Sequence, residues 1–438
     1  MSDELLIAPR WLVPVEPAGV TLEGHAVLVR GGTIARVGPR AELETESPHA
    51  ARIELPDHVL IPGLVNAHTH AAMTLMRGLA DDLPLMRWLE DHIWPAEGRH
   101  LSHDFVHDGT LVAIAEMLRG GVTCFNEMYM YPEAAARAAV ETGMRAAIGM
   151  IALEFPTPYA NDAQDYLAKG IAMRDEWSPH PLLSFCLAPH APYTVSDATF
   201  DKIGVLAEQL DVPIHMHVHE TLDEVTGAVA RNGRRPLERL ATLGLLSPRL
   251  VAVHAVHLDP GEIDALARHG CHVAHCPSSN LKLASGFAPV AKLLDAGVNV
   301  ALGTDGAASN NRLDLFEEMR LAALLAKAVG QRADAVPAHQ ALAMATLHGA
   351  RALGIDARIG SIAPGKAADL VAVNLGSLEL SPCYDPVSHL VYAAGRHDVS
   401  HVWIDGRPKL VDRRLVGIDT EALRARAARW SAQLRPLH

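Results

Sequence analysis

Eight short apolar runs, spaced through the middle of a 438-residue chain, restrict its fold more than any other feature. They are Leu60–Ala67, Gly121–Phe125, Arg145–Ile151, Leu182–Ala188, Pro213–Val218, Leu250–Val256, His272–His275 and Val298–Leu302. Between them lie Ala/Leu/Glu/Arg-rich stretches with helical spacing, such as Ser102–Arg119 and Arg312–Lys327. Ser102, one turn ahead of Phe105, gives a partial N-cap signal for the first of these. Strands alternating with helices predict a parallel sheet. Eight such units over about 300 residues match a (β/α)8 TIM barrel. An open doubly wound sheet is the alternative, but no strand is followed by the Gly-x-Gly-x-x-Gly turn of a dinucleotide fold.

The two ends of the chain read differently. Ala26–Gly38 holds two β-rich runs around a Gly31-Gly32 turn, and His401–Val411 places an Asp405-Gly406 turn between two more. Ala368–Asn374 adds another β-rich run. The pattern predicts one small β-sandwich built from both termini, dividing the chain into residues 1–59, 60–366 and 367–438.

The formal net charge is −13 with histidine neutral. An acidic surface argues against nucleic acid or an anionic membrane as partner. Five scattered cysteines without a C-x-x-C pair suit a reducing cytosol rather than a disulfide framework. The first residues show no signal-peptide pattern, and no apolar run is long enough to span a bilayer. A cytoplasmic location is expected.

In a barrel, chemistry collects at the C-terminal ends of the strands. The first strand runs into His68-Thr-His70, two imidazoles with one residue between them, which on a strand point to one side. The fourth ends at His190, the fifth at His215-Met-His217-Val-His219-Glu220, the sixth at His254 and the eighth at Thr304-Asp305-Gly306. Nitrogen donors with one carboxylate are what zinc or ferrous iron prefers. Each residue also has an ordinary reading. Glu220 could be a helix N-terminal carboxylate, His254 a core histidine and Asp305 a turn residue. Spacing leaves open which of His215, His217 and His219 would bind metal.

With these residues in view, the chain resembles the amidohydrolase superfamily over nearly its whole length. The resemblance rests on Pro62–His70, His217-x-x-Glu220, His254 and Thr304-Asp305-Gly306. Within the superfamily it is similar to the methylthioadenosine/S-adenosylhomocysteine deaminase group, through Trp94-Pro-Ala-Glu97, Ala188–Tyr193 and Ser279–Gly286. The resemblance selects His217, three residues before Glu220. It implies one divalent metal, zinc with ferrous iron as the alternative, held by His68, His70, His217 and Asp305. Two-metal members bridge their ions with a lysine at the end of the fourth strand, and residues 182–196 contain none.

The implied reaction is hydrolytic deamination of an adenine ring. A metal with an open position lowers the pKa of water toward about 7. Glu220 would carry a proton to ring N1, and His254 and Asp305 would orient the attacking water and accept its proton. Glu97 resembles a residue that binds ribose hydroxyls, a suitable task for a carboxylate. His190 resembles one that contacts purine or ribose. Glu220 and Asp305 also count among the expected substrate contacts.

Some relatives carry an arginine just after the third strand and another in the loop beyond. The first position is Met150 here, and no arginine occurs between Arg145 and Arg174. An arginine would suit the homocysteine carboxylate. Its absence favours methylthioadenosine over S-adenosylhomocysteine, with adenosine a further candidate. Met73, Trp88 and Met128 are candidate thioether contacts. The alternatives are a triazine or chlorotriazine hydrolase, a guanine or cytosine deaminase, and a metal-free scaffold that kept the barrel without the chemistry. Homo-oligomers occur in the family, so self-association is the one protein partnership the resemblance suggests.

Overall fold

The computed structural model describes residues 4–435. Eight parallel strands form the barrel, Leu64–Thr69, Val122–Glu127, Arg145–Ala152, Leu183–Pro189, Ile214–Val218, Leu250–His254, His272–His275 and Asn299–Leu302, paired in chain order. Each falls within a few residues of its sequence-predicted run. The first and eighth strands meet through polar contacts. Asp305 N–H donates to His68 O at 3.0 Å, and the Asn66 amide bonds Thr304 N and Oγ1 at 3.0 and 2.7 Å. Gly303 permits this approach, because a Cβ there would lie 2.8 Å from His68 Cβ.

The predicted first run, Leu60–Ala67, divides at Gly63. Residues Ala51–Pro62 belong to a second sheet and Leu64–Thr69 to the barrel. A Cβ at Gly63 would sit 2.0 Å from Thr123 Oγ1, so only glycine lets the chain pass the second barrel strand there. The sixth run also ends early, at His254, where His254 and Ala255 turn left-handed with φ of 69° and 48°.

The second sheet has nine strands and draws on both ends of the chain. Leu370–Asn374 pairs antiparallel with Ala51–Pro62, which pairs parallel with Glu4–Leu12. Ile7, Leu12, Val27, Leu60, Leu370 and Trp403 pack one of its cores. Buried Arg145, at the start of the third barrel strand, ties the sheets together through Asp369 at 2.8 Å and Asp405 at 2.7 Å. The C-terminal helix Thr420–Leu434 lies on barrel helix His103–Arg119, where Arg426 and Trp430 both bond Asp108. Ser102 caps that barrel helix through Phe105 N. All five cysteines are free. No helix among the described residues is long and apolar enough to cross a membrane.

The segment between the first barrel strand and this helix is not a simple loop. Short helical turns at Ala71–Met76, Leu85–Trp88, Leu89–Ile93 and Trp94–His100 fold over the C-terminal end of the barrel.

Candidate active site

Four side chains from three strand ends converge. His68 Nε2 lies 3.2 Å from His217 Nε2 and 3.4 Å from Asp305 Oδ1, and His70 Nε2 lies 3.3 Å from the same oxygen. Bonds of about 2.0–2.1 Å to a tetrahedral ion put donors roughly 3.3 Å apart. His217 Nδ1–H donates to His190 O and His70 Nδ1–H to Met128 O, which leaves each Nε2 as a bare lone pair. Burial pushes His68 down to about 4 and His217 well below the ordinary histidine value, so the rings are neutral. Neutral imidazole lone pairs facing one another beside a carboxylate are unfavourable unless a cation lies between them. The donor set therefore fits a divalent metal.

His215 and His219 do not join this group. His215 sits beneath it, its Nε2 2.8 Å from His68 Nδ1. His219 follows the strand with φ +55°, and the reversal turns its ring outward to Leu237 N and His257 O. Asp305 is itself left-handed, at φ +62°. Such strained residues gather where surrounding contacts over-determine them. Asp305 Oδ2 accepts from Ser279 and Ser309 hydroxyls at 2.6 and 2.8 Å, and Oδ1 from Gly306 N–H. Burial works against its charge, yet its carboxyl is held well below the usual range, and the three hydrogen bonds it accepts favour the ionised form.

His254 and Glu220 stand beside the cradle. His254 lies within 4.8 Å of His68 and His217 in ligand-atom distance, so its ring is close enough to be considered a donor. Its Nδ1 is engaged by Asn280 Oδ1 at 2.9 Å, however, and its Nε2 faces Glu220 Oε2 at 3.7 Å. Burial, with the Asp305 charge adding to it, pushes Glu220 up to about 8. Two buried carboxyls in one site thus differ sharply: Asp305 is ionised and Glu220 holds a proton near neutrality.

A cavity of about 360 Å³ opens above these residues, within the range of small-molecule sites. His190, Glu97, Met73, Trp88 and Met128 all line it, and among the described residues no lysine or arginine does. Glu97 is buried in the cavity lining, where Tyr129 Oη donates to it at 2.5 Å. Burial raises its carboxyl to about 7. Met150 is not on the wall. Strand alternation turns it into the core against Gly170, and Ile151, Leu153 and Phe155 face the cavity instead. Tyr129, Ser309 and Asn280 were not foreseen as site residues. Asn280 and Ser279 stand out in the sequence only as part of a resembling segment, with no role attached.

The amidohydrolase family model matches residues 59–409. The chain belongs to the amidohydrolase family. Residues 26–50 of this amidohydrolase also match an imidazolonepropionase-like composite domain of bacteria. It is 48% identical to a 5-methylthioadenosine/S-adenosylhomocysteine deaminase of Saccharophagus degradans, over 99% of this chain and 97% of that one. A 5′-deoxyadenosine deaminase of Methanothermobacter thermautotrophicus is 46% identical over 93% of this chain and 94% of its own. Among solved structures, an adenosine deaminase from Xanthomonas campestris with bound zinc superimposes with a TM-score of 0.96 at 52% identity, covering 99% of both chains.

Proposed function

We propose that this amidohydrolase deaminates the adenine ring of 5′-methylthioadenosine, giving 5′-methylthioinosine and ammonia, with S-adenosylhomocysteine and adenosine as further substrates. The observation that carries the reading is the pairing of Glu220 and His254 beside a metal cradle, at the end of an apolar cavity without a cation. One zinc ion per subunit, held by His68, His70, His217 and Asp305, supplies the Lewis acidity that makes water nucleophilic near neutral pH.

The remaining work falls to side chains. Asp305, kept ionised, accepts a proton from water through its carboxylate. His254 keeps its Nε2 lone pair toward the reacting centre because Asn280 engages Nδ1. Glu220, protonated near neutrality, donates to ring N1 as C6 becomes tetrahedral; Asp305 passes the proton it took from water to the departing amine, and the proton of the new C6 hydroxyl returns to Glu220 as the carbonyl forms. Glu97 and His190 hold the ribose, and the apolar wall takes the 5′ thioether. A carboxylate and an ammonium group on the 5′ substituent would meet no complementary charge on that wall, so methylthioadenosine is the preferred substrate.

The test is ammonia release from the zinc-loaded protein with methylthioadenosine, adenosine and a chlorotriazine in parallel. The reading requires ammonia from the nucleosides. Chloride from the triazine with no ammonia from any nucleoside would overturn it in favour of triazine hydrolysis.

A further inference from the structure

Glu224 is a buried carboxylate whose arrangement the helix it sits in does not explain. It is the third residue of helix Leu222–Asn232, which Thr221 caps by accepting Glu224 N–H at 3.2 Å. In an ordinary capping box the third-residue carboxylate reaches back to the N–H of the cap residue. Helix Pro260–Arg268 of this protein does so, with Glu262 accepting Asp259 N–H at 2.9 Å. Glu224 reaches further. Its Oε1 accepts His219 N–H at 3.0 Å and its Oε2 accepts Glu220 N–H at 2.8 Å. Among the described residues no lysine or arginine pairs with it, and burial pushes its carboxyl up to about 7.

Those two N–H groups lie at the left-handed bend where the chain leaves the fifth barrel strand. Among the described residues no strand neighbour takes them, and the two oxygens of Glu224 each accept one. Glu127 also holds the first strand's exit with a buried carboxyl, its Oε2 accepting Thr69 Oγ1–H and Ala71 N–H, each at 2.8 Å.

From this geometry we infer that Glu224 is a positioning residue for Glu220, fixing the backbone from which the Glu220 carboxyl is aimed at the reacting ring. The inference rests on the reading of Glu220 as proton carrier. The carboxylate clamps the bend without touching substrate, so its removal disturbs the transition state more than the bound ground state. A misplacement of about 1 Å in a reacting group can cost on the order of a hundredfold in rate.

The experiment compares zinc-loaded Glu224→Gln and Glu224→Ala with the parent. It reads kcat and KM for methylthioadenosine, bound zinc, and inhibition by two ligands. One is 5′-methylthioinosine. The other is a purine-like nucleoside with a tetrahedral carbinol at the reacting position. Glutamine keeps one acceptor and should lower kcat about tenfold, alanine about a hundredfold, with KM within about threefold of the parent. Zinc should remain at parent stoichiometry. Carbinol affinity should fall in step with kcat while methylthioinosine affinity holds. If the alanine variant does not fold, the glutamine variant carries the test. Unchanged kcat in the folded variants would overturn the inference. So would a fall in kcat matched by equal loss of zinc or of methylthioinosine binding. Glu220→Gln, run in parallel, separates the two claims: retained turnover there overturns the proton-carrier reading, whereas lost turnover there with unchanged kcat at residue 224 overturns the positioning role alone.

Discussion

The two ends of the cavity are built on different physical terms. At the floor, the cradle residues and His254 are tied to strand ends and held by a second polar group. Asp305 has two serine hydroxyls and a backbone N–H, His254 has Asn280, and His217 has a carbonyl. At the wall, Trp88, Trp94, Met128, Ile151 and Phe155 come from short helical turns and strand exits and make mostly apolar contact. Hydrogen-bonded strand ends give fixed geometry, which the chemistry of one carbon requires. An apolar wall gives shape and burial, which discriminate substrates by a few kcal/mol at most. The floor should therefore be brittle and general, and the wall tolerant and selective.

The largest effect should come from breaking the floor at its charge. Asp305→Ala should lose bound zinc and all measurable turnover, as should chelation of the parent, with zinc restoring only the latter. Metal analysis beside the rate checks this. Glu220→Gln comes next. It should keep zinc and lose on the order of 10²–10⁴ in kcat, the usual worth of a positioned acid; lost zinc would mean that Glu220 belongs to the coordination shell.

Glu97 lines the cavity without belonging to the metal cradle and should act on binding. Glu97→Gln should raise KM for ribosides about tenfold and leave KM for a 2′,3′-dideoxy substrate within about twofold. The pH dependence has a definite sign. With its carboxyl raised to about 7, Glu97 takes a proton as pH falls through that value and loses acceptor capacity for the diol. KM of the parent should rise below neutrality, and the glutamine variant should lack that rise. The smallest effect belongs to the apolar wall. Phe155→Ala or Trp88→Ala should reduce preference for methylthioadenosine over adenosine about fivefold, equivalent to losing about 1 kcal/mol of apolar burial. Equal losses on both nucleosides would show that these rings do not contact the 5′ group.

The floor was legible in the sequence because two regular signals coincide there. Alternating apolar runs mark the strands, and histidines or carboxylates at their C-terminal ends break the apolar pattern where the barrel places chemistry. What spacing could not reveal is backbone reversal. His219 looks equivalent to His217 until its φ of +55° turns it away. Gly63 divides one apolar run between two sheets for a steric reason that lies in Thr123, sixty residues on. The wall was less legible. Residues 71–100 form four short turns whose packing depends on distant strands. Tyr129 reaches Glu97 only in three dimensions. Met150 reads in the sequence as the position just after the third strand, but it lies within that strand with its side chain in the core, and its neighbour Ile151 faces the cavity. Glu224 reads as an ordinary helix-start carboxylate until its hydrogen bonds are seen to bypass the helix.

The most direct measurement is the ratio of kcat/KM for methylthioadenosine to that for S-adenosylhomocysteine on the zinc-loaded protein, followed by the adenine-to-hypoxanthine change in ultraviolet absorbance. The account predicts that both substrates are deaminated and that methylthioadenosine is favoured by about tenfold or more, since the wall offers no cation to the homocysteine carboxylate. A preference for S-adenosylhomocysteine would contradict the assignment of the wall, and no absorbance change with either would contradict the assignment of the floor.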